Sequence, residues 1–348
     1  MRHLTPWLLV AGLLATPNAA VAQNRGSLDI FVLDTEGGEA VLYIAPTGEA
    51  MLFDTGRAEN FDRILALIEQ ENVQVLDYVI VSHYHGDHVG SAASLPQLPV
   101  RNIRQFLDHG PYTTELQPNQ RAPFERYLAL RNIAKARRAE PGEKLSFGAV
   151  EVFIVASSGE RISEPLPGAG RPNPLCRNHA PKVDLRAVEN DEAVSVVVRY
   201  GNFSFLELSD MIWNHEQRVV CPNNLLGTVD VYHTSGHGAQ WGSNPVMVHA
   251  VRPRVAVMNN AAVKGGHADT FATLRSSPGL EDIWQAHFST EFAAAEDNSP
   301  ADFIANLDGS PGHVGHYIKF SARDDGSFTV TNSRNGFMKE YPPAASRR

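Results

Sequence analysis

Apolar and polar positions change period several times along the chain, and each change marks an element. Leu28–Leu33 (LDIFVL) reads as a strand. Ala40–Ala45 and Ala50–Gly56 flank a Pro-Thr-Gly turn at Pro46–Gly48, which predicts a meander of strands. Asn60–Glu71 carries Ile64, Leu65, Leu67 and Ile68 at helical spacing, with Asn60 as the expected cap. Leu76–Ser82 predicts a fully buried strand. Gln120–Glu140 predicts a long basic helix with Phe124, Tyr127, Leu128, Leu130 and Ile133 as its apolar positions and its Arg and Lys residues as a solvated face. Leu145–Ser157 returns to strand. Glu160–Asn190 is rich in Pro, Gly and Arg and aperiodic, a loop insertion near the chemistry. Ala193–Asp210 predicts a hairpin turning at Gly201-Asn202.

From there the pattern alternates: strand Val229–His233, helix Asn244–Pro253, strand Val255–Asn260, helix Ala268–Ser277, strand Asp282–Ser289. A hairpin over Tyr317–Asn332, centred on Asp325-Gly326, closes the chain, and Pro342–Arg348 is expected to fray. Meander, helix and strand recur in both halves, which describes two sheets sandwiched by helices: an α/β, four-layer αββα sandwich. No linker composition divides residues 23–348, so one domain is expected there, on a total length of 348.

The first residues read as an address. Arg2 and His3 precede Trp7–Ala15, too short an apolar run to span a bilayer, and Ala20-Val21-Ala22 supplies a cleavage pattern. Residues 1–22 are therefore expected to be a signal peptide, and the mature chain to be exported, periplasmic or secreted, with no membrane span.

Composition narrows the classes. At 43% hydrophobic and 20% charged, the chain has material for a core and is not a disordered one. A net charge of -9 argues against an electrostatic clamp on nucleic acid, so no stable nucleic-acid complex is expected and the partner is a small molecule or polymer fragment. Two cysteines are too few for a disulfide scaffold or a Cys-rich metal site. In an oxidising compartment a bridge between Cys176 and Cys221 is the expectation; a ligand role for Cys221 and free thiols are the alternatives.

The chain has 14 histidines, and three of them fall within the stretch SHYHGDHVG at Ser82–Gly90. His83 and His85 are two apart, so on extended backbone both rings leave the same side and can share one cation. Gly86 permits a sharp turn that aims Asp87 and His88 at a second point. Imidazole with carboxylate suits zinc, manganese or iron better than magnesium or calcium.

These residues resemble the H-x-H-x-D-H signature of the metallo-β-lactamase superfamily, and more narrowly the branch containing the hydrolase domain of ComEC-type DNA-uptake proteins. The stretches from Leu28 to Gly56, from Asn190 to Asp210 and from Val229 to Gly238 are similar to that branch's opening strands, its hairpin ending in Asp, and the strand leading to its His-His-Gly motif. The resemblance runs from about Leu28 to about Ser289. It implies a zinc pair, with manganese or iron as alternatives. His83 and His85 would hold the first metal, Asp87, His88 and His237 the second, and Asp210 would bridge them.

Asp54 is read as a buried acceptor orienting a ligand His. Asp34 and Glu39 read either as further acceptors of that kind or as turn residues. Two departures stand out: no His stands at Ala156, Ser157 or Ser158, where the superfamily often places one, and Gly236 replaces the first His of His-His-Gly. His179 and His233 are the residues able to compensate. His267 reads as a proton donor to the leaving group, an anion contact, or a helix cap. His249 and His287 read as packed histidines, and His313 and His316 as lying outside the site.

The implied function is an exported metal-dependent hydrolase. A metal-activated hydroxide, oriented by Asp87, would attack a phosphodiester, ester, lactone or amide bond across metals about 3.5–4 Å apart. The alternative is a non-catalytic exported binding module on a degraded site.

Overall fold

The computed structural model describes residues 25–110, 118–182, 187–310 and 313–344. The expected signal peptide and the last four residues of the expected frayed tail lie outside these residues.

Two nine-stranded sheets stack face to face. Across the first sheet the strands run Met338–Tyr341, Phe328–Asn332, Ile318–Ala322, Leu28–Val32, Val41–Ile44, Ala50–Phe53, Val75–Ile80, Asn102–Asp108 and Arg137–Arg138. The second sheet orders Ile304–Asn306, Asp282–His287, Val255–Met258, Val231–His233, Phe203–Glu207, Ser195–Tyr200, Val150–Ser157 and Lys144–Phe147, with Glu160–Arg161 pairing off this path. Each sheet is antiparallel on one side and parallel on the other. The parallel runs are Ala50–Phe53 through Arg137–Arg138 in the first and Phe203–Glu207 through Ile304–Asn306 in the second.

Burial explains why the interior strands read as unbroken apolar runs. Leu28–Val32, Val41–Ile44 and Ala50–Phe53 are buried on both faces. One face meets the opposite sheet: Tyr43, Phe53 and Ile80 pack with Val196, Phe205, Val231 and Trp284. Tyr43 and Phe205 meet edge to face at 5.8 Å across that interface. The outer face of the first sheet takes Ile64, Leu67 and Ile68 from helix Phe61–Gln70. The outer face of the second takes Met247, Val248 and Val251 from helix Pro245–Val251, and Phe271 and Leu274 from helix Ala268–Arg275. Helices, two sheets and helices give the four-layer sandwich.

Three local expectations are corrected. The basic helix spans Pro118–Ala134, not 120–140: Lys135 turns left-handed at φ 53° and Arg137–Arg138 pairs alongside Leu107–Asp108. Its apolar positions are also unevenly used, for Tyr127 is buried whereas Ile133 is 81% exposed. Asn60 precedes helix Phe61–Gln70 but its side chain makes no cap bond, turning instead toward Glu36. The insertion over 160–190 holds short structure: Arg171–Pro172 pairs with Asn223–Asn224, and a 3-10 turn covers Pro174–Asn178. Cys176 and Cys221 are bridged, joining that insertion to the second half across 45 residues. Among the described residues no helix is long and apolar enough to cross a membrane.

Candidate metal centre

The carboxyl ends of parallel strands from both sheets converge at one edge of the sandwich, where open α/β sheets leave a crevice. Strand Val75–Ile80 delivers Ser82, His83 and His85, and the turn Gly86–Val89 delivers Asp87 and His88. Strand Phe203–Glu207 leads to Asp210, and strand Val231–His233 leads to His237.

Three residues near these ends adopt left-handed backbone without being glycine: Asp54 (φ 56°), Ser209 (φ 51°) and His237 (φ 58°). Such conformations cost of order 1–3 kcal/mol each and gather where a site must be shaped. His237 sits between Gly236 and Gly238, also left-handed. Position 236 admits nothing larger, since a Cβ there would lie 2.5 Å from the Trp241 ring. A His at position 236 would therefore clash with Trp241. Likewise a Cβ on Gly265 would stand 2.0 Å from the His237 carbonyl, so the loop before His267 packs directly on the His237 turn.

The side chains meet through nitrogens and oxygens that hydrogen bonds cannot satisfy. His88 gives Nδ1–H to Asp54 Oδ2 at 2.7 Å. Its Nε2 then faces His237 Nε2 at 3.3 Å, Asp210 Oδ1 at 3.5 Å and Asp87 Oδ2 at 3.8 Å. His83 Nδ1 lies 3.0 Å from Ser82 Oγ, which donates to Asp54 Oδ2 at 2.5 Å. Its Nε2 faces His85 Nδ1 at 2.9 Å and Asp210 Oδ2 at 3.8 Å. His237 Nε2 lies 3.2 Å from Asp210 Oδ1 and 3.4 Å from Asp87 Oδ2. Asp210 Oδ1 is buried yet accepts no hydrogen bond. With His83 and His88 fixed from behind, ring nitrogens and carboxylates aimed at common points are the donor set of a cation site.

Protonation agrees with this donor set. Burial holds His83 well below its usual value and His237 near about 4, with Lys264 adding to the effect on His237. Burial opposes ionisation of Asp87, but Lys264, His237 and His88 together outweigh it and hold the carboxyl well below the usual range. Asp210 is likewise held down against burial, chiefly by His237 and His88. Burial also opposes charge on His88, yet Asp210 and Asp54 hold that ring well above its usual value. His83 and His237 neutral and Asp87 and Asp210 ionised are the states that bind a metal, whereas His88 has to release its second ring proton when a cation binds.

Residues 34–160 match the family described as the Metallo-beta-lactamase superfamily. Over that segment the chain is similar to the superfamily. Among solved structures it is similar to the metallo-beta-lactamase fold protein YhfI from Bacillus subtilis, at 13% identity over 76% of this chain and 98% of that one, TM-score 0.45. A protein from Parabacteroides distasonis, provisionally described as a metal-dependent hydrolase, shares 11% identity over 74% of this chain and 93% of its own, TM-score 0.43. CmlA, a diiron beta-hydroxylase from Streptomyces venezuelae, shares 14% over 74% of this chain and 52% of its own, TM-score 0.42. No curated protein matches the chain.

Around the six convergent side chains, the fold places the remaining expected residues apart. His267 occupies the position before helix Ala268–Arg275 and stacks on Phe292, rings 4.3 Å apart and 10° from parallel. His179 accepts from Asn244 Nδ2 at 3.0 Å. His233 pairs with Glu207 and packs beneath the site. Asp34 accepts the Glu36 N–H at 2.9 Å, as a turn residue does, and it also meets His287 and His313 but none of His83, His85 or His88. Lys264 was not foreseen. Its ammonium bonds both Asp87 and the Gly37 carbonyl, and the only sequence trace of it is the Gly-Gly pair that follows.

Proposed function

We propose that the chain is an exported metal-dependent hydrolase of the ComEC-type branch, working with two divalent cations, zinc first. The observation that carries this reading is the convergence of His83, His85, Asp87, His88, Asp210 and His237 on shared points. His83, His85 and Asp210 would hold one cation; Asp87, His88, His237 and Asp210 the other. Bound there, such cations supply Lewis acidity and lower the pKa of water.

The protein's own groups do the rest. Asp54 and Ser82 keep the proton of His88 and of His83 on Nδ1, leaving both Nε2 atoms basic. Lys264 uses two of its three N–H donors on Asp87 and Gly37, and its side chain is 33% exposed, so the third can meet substrate. That cation favours an anionic ester, which makes a phosphodiester the first substrate class to test, ahead of ester, lactone and amide. His267, if it swings off Phe292, is the residue proposed to protonate the leaving group. The Cys176–Cys221 bridge supports an oxidising, exported location.

Bound metal and turnover of activated phosphodiester, ester, lactone and β-lactam substrates should be measured before and after chelation. The expected result is metal in the purified protein, loss of turnover on chelation, recovery with zinc, and no turnover from Asp87→Ala. Protein without metal and without chelator-sensitive turnover on the whole panel overturns the reading and leaves the binding-module alternative.

A further inference from the structure

A second convergence of histidines and carboxylate lies elsewhere in the sandwich and shares no residue with the centre at His83. We propose that Asp34, His287 and His313 form a binding site for one divalent first-row transition-metal ion.

Three distant pieces of chain build it: the loop after strand Leu28–Val32, the end of strand Asp282–His287, and the loop that follows Asn306. His287 Nε2 lies 2.7 Å from Asp34 Oδ1, and His313 Nε2 lies 2.7 Å from Asp34 Oδ2. The two rings stand nearly perpendicular, centroids 4.9 Å apart. All three ligand atoms fall within 4.8 Å of one another.

In both rings the far nitrogen leaves Nε2 as the atom that faces the carboxylate. His313 Nδ1 is 3.0 Å from the Ser310 carbonyl oxygen, which can only accept, so that nitrogen carries the proton. Nε2 then faces the carboxylate oxygen at 2.7 Å, across a gap that either a second ring proton or a cation fills. A backbone carbonyl holding the far nitrogen is also the usual outer contact of a ligating imidazole. His287 enters from the opposite side onto the other oxygen of the same carboxylate. Its Nδ1 is buried without a hydrogen-bond partner, so no other group competes for the ring.

Arg63 does not block the site. Its Nη1 donates to Asp34 Oδ2 at 2.8 Å and to the Asp34 carbonyl at 2.9 Å, while Nη2 donates to the His313 carbonyl at 3.0 Å. A carboxylate oxygen has two lone pairs, so Oδ2 can serve the guanidinium and a metal together. Arg63 instead ties the two ligand-bearing loops together. A cleft of about 340 Å³ bordered by Asp34, Arg63, His313 and Tyr317 leaves one side open for water. Two imidazoles, one carboxylate and an open position suit zinc, iron or manganese; calcium and magnesium prefer oxygen alone.

An ion here would clip the loop carrying His313 to the body of the fold. It would also stiffen the segment beginning at Asp34, whose Gly37 carbonyl and Glu39 N–H meet Lys264 and the Asp87 carbonyl.

The test uses the full chain, saturated with Zn²⁺ and freed of excess, with zinc counted per folded chain by mass spectrometry. His313→Gln and His287→Gln should each carry one zinc fewer than the parent, and a His83→Gln/His85→Gln double variant should keep the ion at Asp34. Should the buried His287→Gln fail to fold, His313→Gln on its surface loop still decides. Equal zinc in His313→Gln and parent overturns the site. So does a ¹⁵N spectrum of the zinc-saturated parent showing both His313 ring nitrogens protonated, because a proton would then fill the gap. Loss of zinc from the double variant alone leaves the His83 centre standing and this one refuted, and the reverse pattern does the opposite.

Discussion

His88 shows what one buried acid does for the candidate centre. Asp54 receives its Nδ1–H at 2.7 Å and the Ser82 N–H at 2.6 Å, so a single carboxylate aims the ring and pins the strand end that carries His83. Asp54→Asn should lower zinc affinity about 10–100-fold while the protein stays folded, since the loss falls on ring orientation and basicity. Competition against a coloured chelator reads the affinity, and an unchanged value would show that Asp54 serves packing alone. At this scale the sequence was legible wherever partners lie close in the chain. His83, His85, Asp87 and His88 announce themselves by spacing, whereas Asp210 and His237 came only from the resemblance of the stretches that carry them to a known family. Lys264 could not be found that way, because its partner Asp87 lies 177 residues away and a lone Lys carries no period.

Among the elements, the turn holding His237 depends on a neighbour that no motif marks. Glu216, on helix Trp213–Arg218, accepts from Ser243 N at 2.9 Å, Asn244 N at 2.5 Å and the Ser235 hydroxyl. Burial pushes its carboxyl up to about 7 against the pull of those donors. A group whose folded pKa is raised binds a proton on folding between its unfolded value, near 4.5, and about 7. Stability therefore falls as pH rises across that window, by about 3 kcal/mol from this group. Glu216→Gln should flatten that part of the urea-unfolding profile between pH 4.5 and 7, and a slope unchanged from the parent would remove Glu216 as its source. Element boundaries were less legible than element types for the same reason of distance. The basic run over 120–140 has helical propensity to its end, but Lys135 breaks left-handed so that Arg137–Arg138 can extend the first sheet. Strand Met338–Tyr341, which buries Tyr341 at the sheet edge, escaped notice because its four residues alternate too briefly to set a period.

In the whole molecule, the Cys176–Cys221 bridge closes a long loop around the insertion. Loop-closure entropy alone assigns such a link about 4 kcal/mol, an upper figure where the unfolded chain keeps structure. The Cys176→Ser/Cys221→Ser variant should unfold at lower denaturant by up to that amount, while an unchanged midpoint would mean the insertion is held by packing. The four-layer architecture was readable because meander, helix and strand recur in both halves. The pairing between the chain's ends was not, since nothing local tells an apolar strand which distant strand will flank it.

That pairing has a consequence in time. Leu28–Val32 lies inside the first sheet, yet one of its two neighbours, Ile318–Ala322, is made almost three hundred residues later. At synthesis rates of about 5–20 residues per second, this strand waits tens of seconds with an open hydrogen-bonding edge. The growing chain therefore carries an unpaired strand edge near its front until the final hairpin arrives, and shielding that edge meanwhile keeps it from pairing with another chain.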